Sequence, residues 1–331
     1  MMQTIWIVDS EILYMNDLKY WKEYISEFIT GAIKQRKLNV NVRIISDVLE
    51  VFKNKEVSNN DHFIFHDTFH PYITQIRYLS LTLGIKIVIH GLWNITSLDD
   101  INLQVNKTTR KWKLLYEKLI LRTLDFHYFV TEEHLNDISS RLLRFFKIHP
   151  RDLDLSVGWP FTGVEHYSLD ITYKNKRNMI IFPYPVTMNS QVSIFKEISR
   201  NLPQYEFIVA YEKAATLEQL HSLLASSKMT MNCNLNDILG ISMYESIYYN
   251  SIPMIPKRFA YTSTYDEKFL YPSEWTESFL MSIHHMKDIK EYIQERMENH
   301  ENYLEPIHEN KQKLSLTQFN DKNLIKNIFN T

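Results

Sequence analysis

The sequence predicts an α/β protein of two domains, each built on a parallel sheet with helices on both faces. Two observations support this fold class. The chain has 331 residues, which is long for one core and suits two domains of about 150 residues each. Short apolar runs also alternate with segments of helical periodicity, and this alternation occurs twice along the chain.

Short apolar runs predict the strands of the first domain, and amphipathic segments between them predict its helices. We expect strands at residues 5–8, 42–45, 62–65, 85–89 and 126–130, with a last strand at 155–160. We expect helices at residues 16–36, from the loop 66–71 as far as 83, at 109–124 and at 132–147. The polar, charged stretch 162–178 then predicts a linker.

The second alternation begins after this linker. We expect strands at residues 179–182, 205–211, 228–232 and 252–256, and helices at 191–200, 217–226 and 238–249. The tail from residue 278 is predicted to be mostly helical and polar, with a last helix at 323–329.

The composition argues against several classes of protein. The single cysteine, Cys233, rules out an internal disulfide and indicates a reducing cytoplasm. We expect neither a signal peptide nor a membrane-spanning stretch. A net charge of −2 argues against strong nonspecific binding to nucleic acid, but it leaves room for a local basic patch. The abundance of Ile, Asn, Lys and Tyr indicates an AT-rich genome, such as many phages and low-GC bacteria have.

The stretch from residue 228 to 256 combines strand, loop, helix and strand around two carboxylates. Asp237 falls in the loop, Gly240 near the first helical turn and Glu245 two turns into the helix. Free N–H groups at a helix start attract phosphate, and Gly240 lets a diphosphate approach the backbone closely. A carboxylate deeper in the helix can accept hydrogen bonds from both hydroxyls of a ribose. The alternative is an ordinary strand–loop–helix unit with two acidic residues.

The run Asp237-Ile-Leu-Gly-Ile-Ser-Met-Tyr-Glu245, followed by Pro253-Met-Ile-Pro256, resembles the E-x7-E donor-site motif of retaining GT-B glycosyltransferases of family 4. Here the first acid is Asp, which is one methylene shorter than Glu. The segment 253–257 is also similar to the corresponding part of the tRNA-queuosine mannosyltransferases. The resemblance extends over residues 179–275.

This resemblance implies a GT-B fold, in which two Rossmann-like domains face each other across a cleft and a C-terminal helix crosses back. It implies an acceptor-side domain at residues 1–161, a donor-binding domain at 162–310 and a C-terminal helical segment at 311–331. It further implies sugar transfer with retention from a nucleotide-sugar, UDP- or GDP-linked, with no metal and no other cofactor. Glu245 would hold the ribose, Asp237 the donor sugar, and the backbone of Gly240 and Ile241 the phosphates.

The loop at residues 182–190 departs from the family pattern, because it lacks the Arg and Lys that clamp the diphosphate there. Two phosphates in a cleft need compensating charge or several N–H donors. We expect Lys257 and Arg258, which follow the last predicted strand, to supply that charge.

Polar residues that follow the first-domain strands are candidates for contact with the acceptor. His90 is predicted to come directly after a strand, and residues 87–90 are loosely similar to the strand before the acceptor site of the phage DNA alpha-glucosyltransferase. His90 is expected to accept the proton of the acceptor hydroxyl or to bind the transferred sugar. A strand-end histidine bonded to the backbone is the alternative. Further acceptor candidates in these loops are His66, Asp67, His70 and Trp93.

His66 and His70 have the spacing of a metal pair on a helix, but no third ligand is evident and a polar loop is the simpler interpretation. The segment 108–124 is basic and also carries a large apolar face. It predicts one of three structures: a core-facing helix with solvated lysines, a nucleic-acid contact through Arg110, Lys111 and Lys113, or a helix lying on a membrane surface.

These observations together predict a glycosyltransferase acting on a hydroxyl acceptor, and the acceptor we predict is a hydroxymethylated base in phage DNA. An envelope saccharide or lipid, or a tRNA base, is the alternative acceptor. A non-catalytic GT-B binding protein is the alternative to an enzyme.

Overall fold

The computed structural model describes most of the chain in two compact units. The described residues are 3–8, 30–31, 33–34, 40–93, 107–146, 157–159, 176–186, 190–214, 216–235, 237, 240–320 and 322–329, without the side chains of 107–110, 137 and 141–146. The first unit comprises Met1–Phe161 and Asn320–Thr331, and the second comprises Thr162–Phe319.

The first unit contains one parallel sheet and the helices that connect its strands. The strands are β1 (Thr4–Val8), β2 (Asn41–Ile45), β3 (His62–Phe65), β4 (Val88–Trp93) and β5 (Phe126–Phe129). The helices are α1 (Val48–Lys53), α2 (Tyr72–Leu83), α3 (Lys107–Thr123) and α4 (Glu132–Phe146). The five strands lie in the order β2-β1-β3-β4-β5, and every neighbouring pair is parallel.

The second unit repeats this plan. Its strands are β6 (Arg177–Phe182), β7 (Glu206–Val209), β8 (Ser227–Met231), β9 (Ile252–Pro256) and β10 (Leu270–Tyr271). Its helices are α5 (Val192–Asn201), α6 (Ala210–Lys213), α7 (Leu217–Ser226), α8 (Ile241–Tyr248), α9 (Tyr261–Thr264), α10 (Phe279–His284), α11 (Met286–Glu298) and α12 (Leu304–Thr317). The five strands are parallel in the order β10-β9-β8-β6-β7.

The core of the first unit lies on both faces of its sheet. Alternate strand residues point to opposite faces. One set, which includes Phe63, Ile89 and Phe129, packs in one apolar cluster with residues of α2 and α3. The other set includes Ile64, His90 and Tyr128. These three line a small pocket with Leu324 of the last helix, α13 (Lys322–Phe329). The C-terminal helix therefore covers the second face of the first sheet.

Several helix boundaries follow from capping chemistry. Thr216 begins α7 with a capping box, because its hydroxyl accepts from the N–H of Gln219 while the Gln219 side chain accepts from the N–H of Thr216. Asp47 begins α1 by accepting from the N–H groups of Leu49 and Glu50. Gly84 ends α2 with φ of 66°, a conformation that glycine adopts without strain.

The structure confirms the predicted fold class and most of the predicted strands and helices. The prediction of a strand at residues 85–89 was wrong in its limits, because β4 runs from Val88 to Trp93. The reason is that Ile85 donates to Ser80 O and Lys86 donates to Asn59 Oδ1, so the chain is still in a turn there. As a result, His90 lies inside the strand.

Two further boundaries differ from the predictions. The strand predicted at 205–211 ends at Val209, because the next residues form the single helical turn α6, closed by the Ala214 N–H on Ala210 O. The helix predicted from 238 begins at Ile241. Most residues of the helix predicted at 16–36 lie outside the described part of the chain, as does half of the strand predicted at 155–160, whose described residues 157–159 form no strand.

Candidate functional site

The carboxyl edge of the second sheet gathers the residues of the predicted donor motif. Strands β6, β8 and β9 are parallel neighbours, so the loops that follow them meet at one edge. Ligands of open α/β sheets bind outside this edge. Asp237 follows β8 and Lys257 follows β9.

Asp237 accepts hydrogen bonds from several groups at this edge. Its Oδ1 accepts from the N–H of Gly240 at 2.8 Å, and its Oδ2 accepts from the hydroxyl of Tyr184 at 2.9 Å. The hydroxyl of Tyr261 also hydrogen-bonds to Asp237. That hydroxyl in turn accepts from Asn232 Nδ2 at 2.7 Å. The carboxylate is therefore fixed in orientation, and it is only partly buried.

The tyrosines around Asp237 remain hydrogen-bond donors. Burial first, and the charge of Asp237 second, raise the pKa of Tyr184, Tyr261 and Tyr265 well above that of a free tyrosine. A neutral phenol beside a carboxylate keeps its proton and donates a hydrogen bond to that carboxylate. Tyr184 and Tyr261 therefore keep their hydroxyl protons for hydrogen bonds to Asp237.

Gly240 is required at its position for two reasons. Its φ is 70°, in the left-handed region, and a Cβ there would lie 2.7 Å from Cε1 of Tyr261 and 3.2 Å from the hydroxyl of Tyr265. The Tyr265 hydroxyl donates to Gly240 O at 2.8 Å, which holds the turn closed. Ile241 is the next residue and begins α8, so its N–H belongs to the first turn, which has no intrahelical acceptors.

Glu245 lies one turn further along α8 and is fully buried. Its Oε1 accepts from His221 Nε2 of α7 at 2.8 Å, and both side chains are 0% exposed. Its Oε2 has no hydrogen-bond partner among the described residues. Buried carboxylate oxygens are nearly always hydrogen-bonded, so this atom has unused capacity to accept from a donor. Glu245 also acts electrostatically on Tyr265, which connects it to the Asp237 cluster.

The two cations proposed to hold the diphosphate differ in their contacts. Lys257 is half exposed, and its Nζ forms an ion pair with Glu267 Oε1 at 2.6 Å. Arg258 is less exposed, and its guanidinium donates to Ser273 O at 3.0 Å and to Thr276 Oγ1 at 2.6 Å. Lys257 can leave a solvated partner for a phosphate, whereas Arg258 holds its own loop together.

In the first unit the structure places His90 inside the sheet. It is 0% exposed, and it joins a chain of hydrogen bonds across three strands. His62 Nδ1 and His90 Nε2 are 2.8 Å apart, and His90 Nδ1 and the hydroxyl of Tyr128 are 2.9 Å apart. Burial is the main cause that lowers the pKa of both histidines, so both are neutral at pH 7. The prediction that His90 comes directly after the strand was wrong, because β4 extends to Trp93, and a contact of His90 with the acceptor stays a prediction.

The acceptor candidates predicted in the loops after the strands are also buried. Trp93 is 1% exposed at the end of β4 and donates from Nε1 to His127 Nδ1 at 3.2 Å, so it belongs to the core and not to a loop. In the loop after β3, Asp67 Oδ1 accepts from the N–H of Phe69, and His70 Nδ1 accepts from the N–H of Tyr72. His66 is buried as well. Asp67 and His70 therefore stabilise the turn into α2.

Helix α3 exposes part of its apolar side. Trp112 is 62% exposed and stacks on Tyr116, so the prediction of a wholly core-facing helix does not hold for this ring. Lys111 is exposed and Lys113 is half-buried, while the side chain of Arg110 lies outside the described part.

The described residues contain neither a metal-binding cluster nor a membrane-spanning helix. Among them, no group of three or more His, Cys, Asp and Glu side chains is arranged to hold a metal ion. No helix within the described part of the chain has the length and apolarity needed to cross a bilayer.

Sequence reasoning missed the residues that hold the two carboxylates. Tyr184 follows β6, whereas Tyr261 begins α9 and Tyr265 ends it, and only the packed structure brings these two segments to Asp237. His221 sits on a different helix from Glu245, 24 residues away, and no local pattern connects the two.

No family model and no curated protein matches the chain. Solved structures do resemble it. Sucrose-phosphate synthase from Thermosynechococcus elongatus is 9% identical with a TM-score of 0.61, covering 99% of each chain. Anabaena Alr3699/HepE, solved in complex with UDP, is 10% identical with a TM-score of 0.58 and 96% of each chain covered. The lipopolysaccharide outer core galactosyltransferase WaaB is 10% identical with a TM-score of 0.54, covering 93% of this chain and 95% of its own. These likenesses confirm the GT-B fold.

Proposed function

We propose that the protein transfers a sugar from a nucleotide-sugar to a hydroxyl acceptor, with retention of configuration at the anomeric carbon. The observation that carries this proposal is the unit from Asp237 to Glu245. It places a fixed carboxylate, a helix start and a buried carboxylate oxygen at the carboxyl edge of one sheet. HepE, which has a similar fold, was solved with UDP, and this supports a uridine nucleotide as the first donor to test.

Each part of this unit has a chemical task. The Oε2 atom of Glu245 would accept from the ribose hydroxyls, and Asp237 would accept from the hydroxyls of the transferred sugar. The first-turn N–H groups at Gly240 and Ile241 would meet the phosphates, helped by the helix dipole. Lys257 would neutralise part of the charge that develops on the leaving diphosphate. His90 has no part in this proposal because both of its ring nitrogens already have hydrogen-bond partners, His62 and Tyr128.

The test is equilibrium binding of UDP and GDP to the wild type and to Glu245→Gln, followed by mass spectrometry of transfer from their sugars. The Gln side chain keeps the volume but loses the charge. We expect nucleotide affinity to fall about ten- to a hundredfold, the equivalent of one lost charged hydrogen bond. Glu218→Gln, on the exposed side of α7, is the matched control and should bind like the wild type. Equal affinities for Glu245→Gln and wild type would remove the motif from the proposal.

A non-catalytic nucleotide-sugar binder is the second candidate. It is favoured by the absence of Lys and Arg from residues 182–190. Binding of the nucleotide with no turnover of any nucleotide-sugar would support it. The acceptor predicted from the sequence, a hydroxymethylated base in phage DNA, stays a prediction.

A further inference from the structure

The first unit exposes large apolar side chains on two adjacent helices. On α3 the exposed side chains are Trp112 (62%), Leu115 (59%) and Leu119 (50%). On α2 and just at its end they are Tyr78 (69%), Leu81 (74%) and Leu83 (54%). Such residues are scattered singly on most protein surfaces, whereas three of them close together on one helix, as on α3, indicate an interaction site.

The apolar residues of α3 form one stripe with positive charge beside it. Trp112, Leu115 and Leu119 follow one another at spacings of three and four residues, so they share a face of the helix. Lys111 and Arg122 are exposed and lie along the same side of this stripe. Both cations have long apolar stems that reach past neighbouring apolar residues while the charge stays in water.

Helices α2 and α3 are joined directly. The guanidinium of Arg77 on α2 donates to Thr123 O at the end of α3, and the hydroxyl of Tyr116 on α3 donates to His70 O at the start of α2. Phe69 also stacks on Tyr116. We refer to the exposed residues of these two helices as the α2–α3 face.

The α2–α3 face has little negative charge beyond Asp125, which follows α3 and is paired with Arg77. Helix α2 contains no Asp or Glu, and the one acid of α3 is Glu117, which is buried. The cations of the two helices are Arg77, Lys107, Arg110, Lys111, Lys113, Lys118 and Arg122. A partner for this face must therefore be both apolar and anionic.

We propose that the α2–α3 face docks on an anionic lipid surface. Leucine and tryptophan side chains bury in the boundary between headgroups and acyl chains, and the flanking lysine and arginine contact the acidic headgroups. Nucleic acid would match the charge but offers the leucines nothing comparable to bury in. A second copy that used the same face would bring like charges together, because a symmetric contact pairs a patch with itself. The proposal does not depend on the proposed function.

The test is flotation of the full chain with vesicles of phosphatidylcholine, alone or with about 30 mol% phosphatidylglycerol. We expect binding to the anionic vesicles only. Lys111→Gln/Arg122→Gln should weaken it roughly thirtyfold, and Leu115→Ser/Leu119→Ser should weaken it more than tenfold. The matched control is Leu280→Ser on α10, which removes an 80% exposed leucine of the second unit and should leave binding unchanged.

All of these positions are exposed, so the variants should unfold at the wild-type temperature, and weaker binding then reports on the surface itself. Three results would each overturn the proposal. The wild type fails to bind anionic vesicles, or binds both vesicle types equally. It binds duplex or single-stranded nucleic acid with a steep salt dependence that Lys111→Gln/Arg122→Gln flattens, while ignoring vesicles. It forms a dimer that Leu115→Ser/Leu119→Ser dissociates.

Discussion

The two units share a plan of five parallel strands but place their buried ionisable side chains differently. In the first unit one linked set, His62, His90 and Tyr128, forms a chain of hydrogen bonds across three strands of the sheet. In the second unit the corresponding linked groups lie beyond the strand ends. Asp237 follows a strand end, and the pair of His221 and Glu245 bridges two helices.

This difference distinguishes buried polar groups that stabilise the fold from groups that can still bind a ligand. The set His62, His90 and Tyr128 in the first unit is electrically neutral, because burial lowers the pKa of both histidines, and its members hydrogen-bond to one another inside the core. In the second unit Asp237 is partly exposed, and Glu245 has a carboxylate oxygen that lacks a hydrogen-bond partner among the described residues. The two units share one strand plan, and the candidate site lies in the unit whose carboxylates, Asp237 and Glu245, can still accept hydrogen bonds.

The largest expected effect comes from breaking the buried pair of the second unit. His221→Leu should destabilise the second unit by about 3–5 kcal/mol, because it leaves the buried Glu245 carboxylate with no donor. Urea unfolding followed by segment-resolved hydrogen exchange measures this loss. In the first unit His90→Leu leaves only neutral groups unpaired, so its cost should be smaller, about 1–3 kcal/mol.

The double variant His221→Leu/Glu245→Leu is the control for this prediction. Removing both partners eliminates the uncompensated charge, so the double variant should recover most of the stability that the single variant loses. If single and double variants were equally unstable, the charge of Glu245 would not be the cause and the contrast between the two units would fail.

Two glycines give the next comparison. Gly240 and Gly84 both have positive φ, at 70° and 66°. An added Cβ at Gly84 meets nothing within 4 Å, whereas at Gly240 it meets Tyr261 at 2.7 Å. Gly84→Ala should therefore cost only backbone strain, about 1 kcal/mol, and Gly240→Ala about 2–3 kcal/mol from strain plus the clash.

Thermal unfolding of both glycine variants provides the stability measurement. Gly240→Ala should also weaken UDP binding, since the Tyr261 ring has to shift away from Asp237. Equal costs at both positions would show that the tyrosine cluster yields freely and does not fix the site.

Acid stability tests the neutral chain of the first unit. In the unfolded chain His62 and His90 take up protons near pH 6.5, while burial lowers the pKa of both in the folded unit. Below pH 6.5 the unfolded state thus binds more protons, so stability falls as pH falls and is complete above that pH. Each histidine contributes at most about 1.4 kcal/mol per pH unit to this slope.

The variant His90→Gln removes one titrating group and can still hydrogen-bond its neighbours. It should be less stable than the wild type at pH 7.5, but the gap should narrow at pH 5.5 in urea melts followed by hydrogen exchange of β4. His308→Gln on the exposed side of α12 is the control and should leave the slope unchanged. An unaltered slope in His90→Gln would mean that the chain is protonated in the folded state.

Much of this fold could be predicted from the sequence, and the reason is local. Strand β9 is a short apolar run bounded by prolines, and α7 has its own capping box, so both elements appeared at their predicted limits. The position of Asp237 before a helix start could be predicted for the same reason. The start of β4 could not, because Ile85 and Lys86 donate to Ser80 O and to the side chain of Asn59, 27 residues from Lys86, and these bonds decide where the ladder begins. The pairing of Glu245 with His221 likewise depends on how two helices pack.

The smallest expected effect concerns Lys257, which gives the second unit a cation at its strand edge. Its Nζ is solvated and paired with Glu267, so a phosphate would exchange one exposed ion pair for another. Lys257→Ala should therefore weaken UDP binding only two- to fivefold, about 0.5–1 kcal/mol, and leave uridine binding unchanged.

Lys268→Ala, which removes an exposed cation next to Glu267, is the matched control, and it should affect neither ligand. Calorimetry at low and high salt should show the Lys257 effect shrinking as salt screens it. Glu267→Gln should act in the opposite direction, tightening UDP slightly by releasing Lys257. Equal losses for UDP and uridine would place the lysine against the nucleoside, and the diphosphate would then depend on the N–H groups at the start of α8 alone.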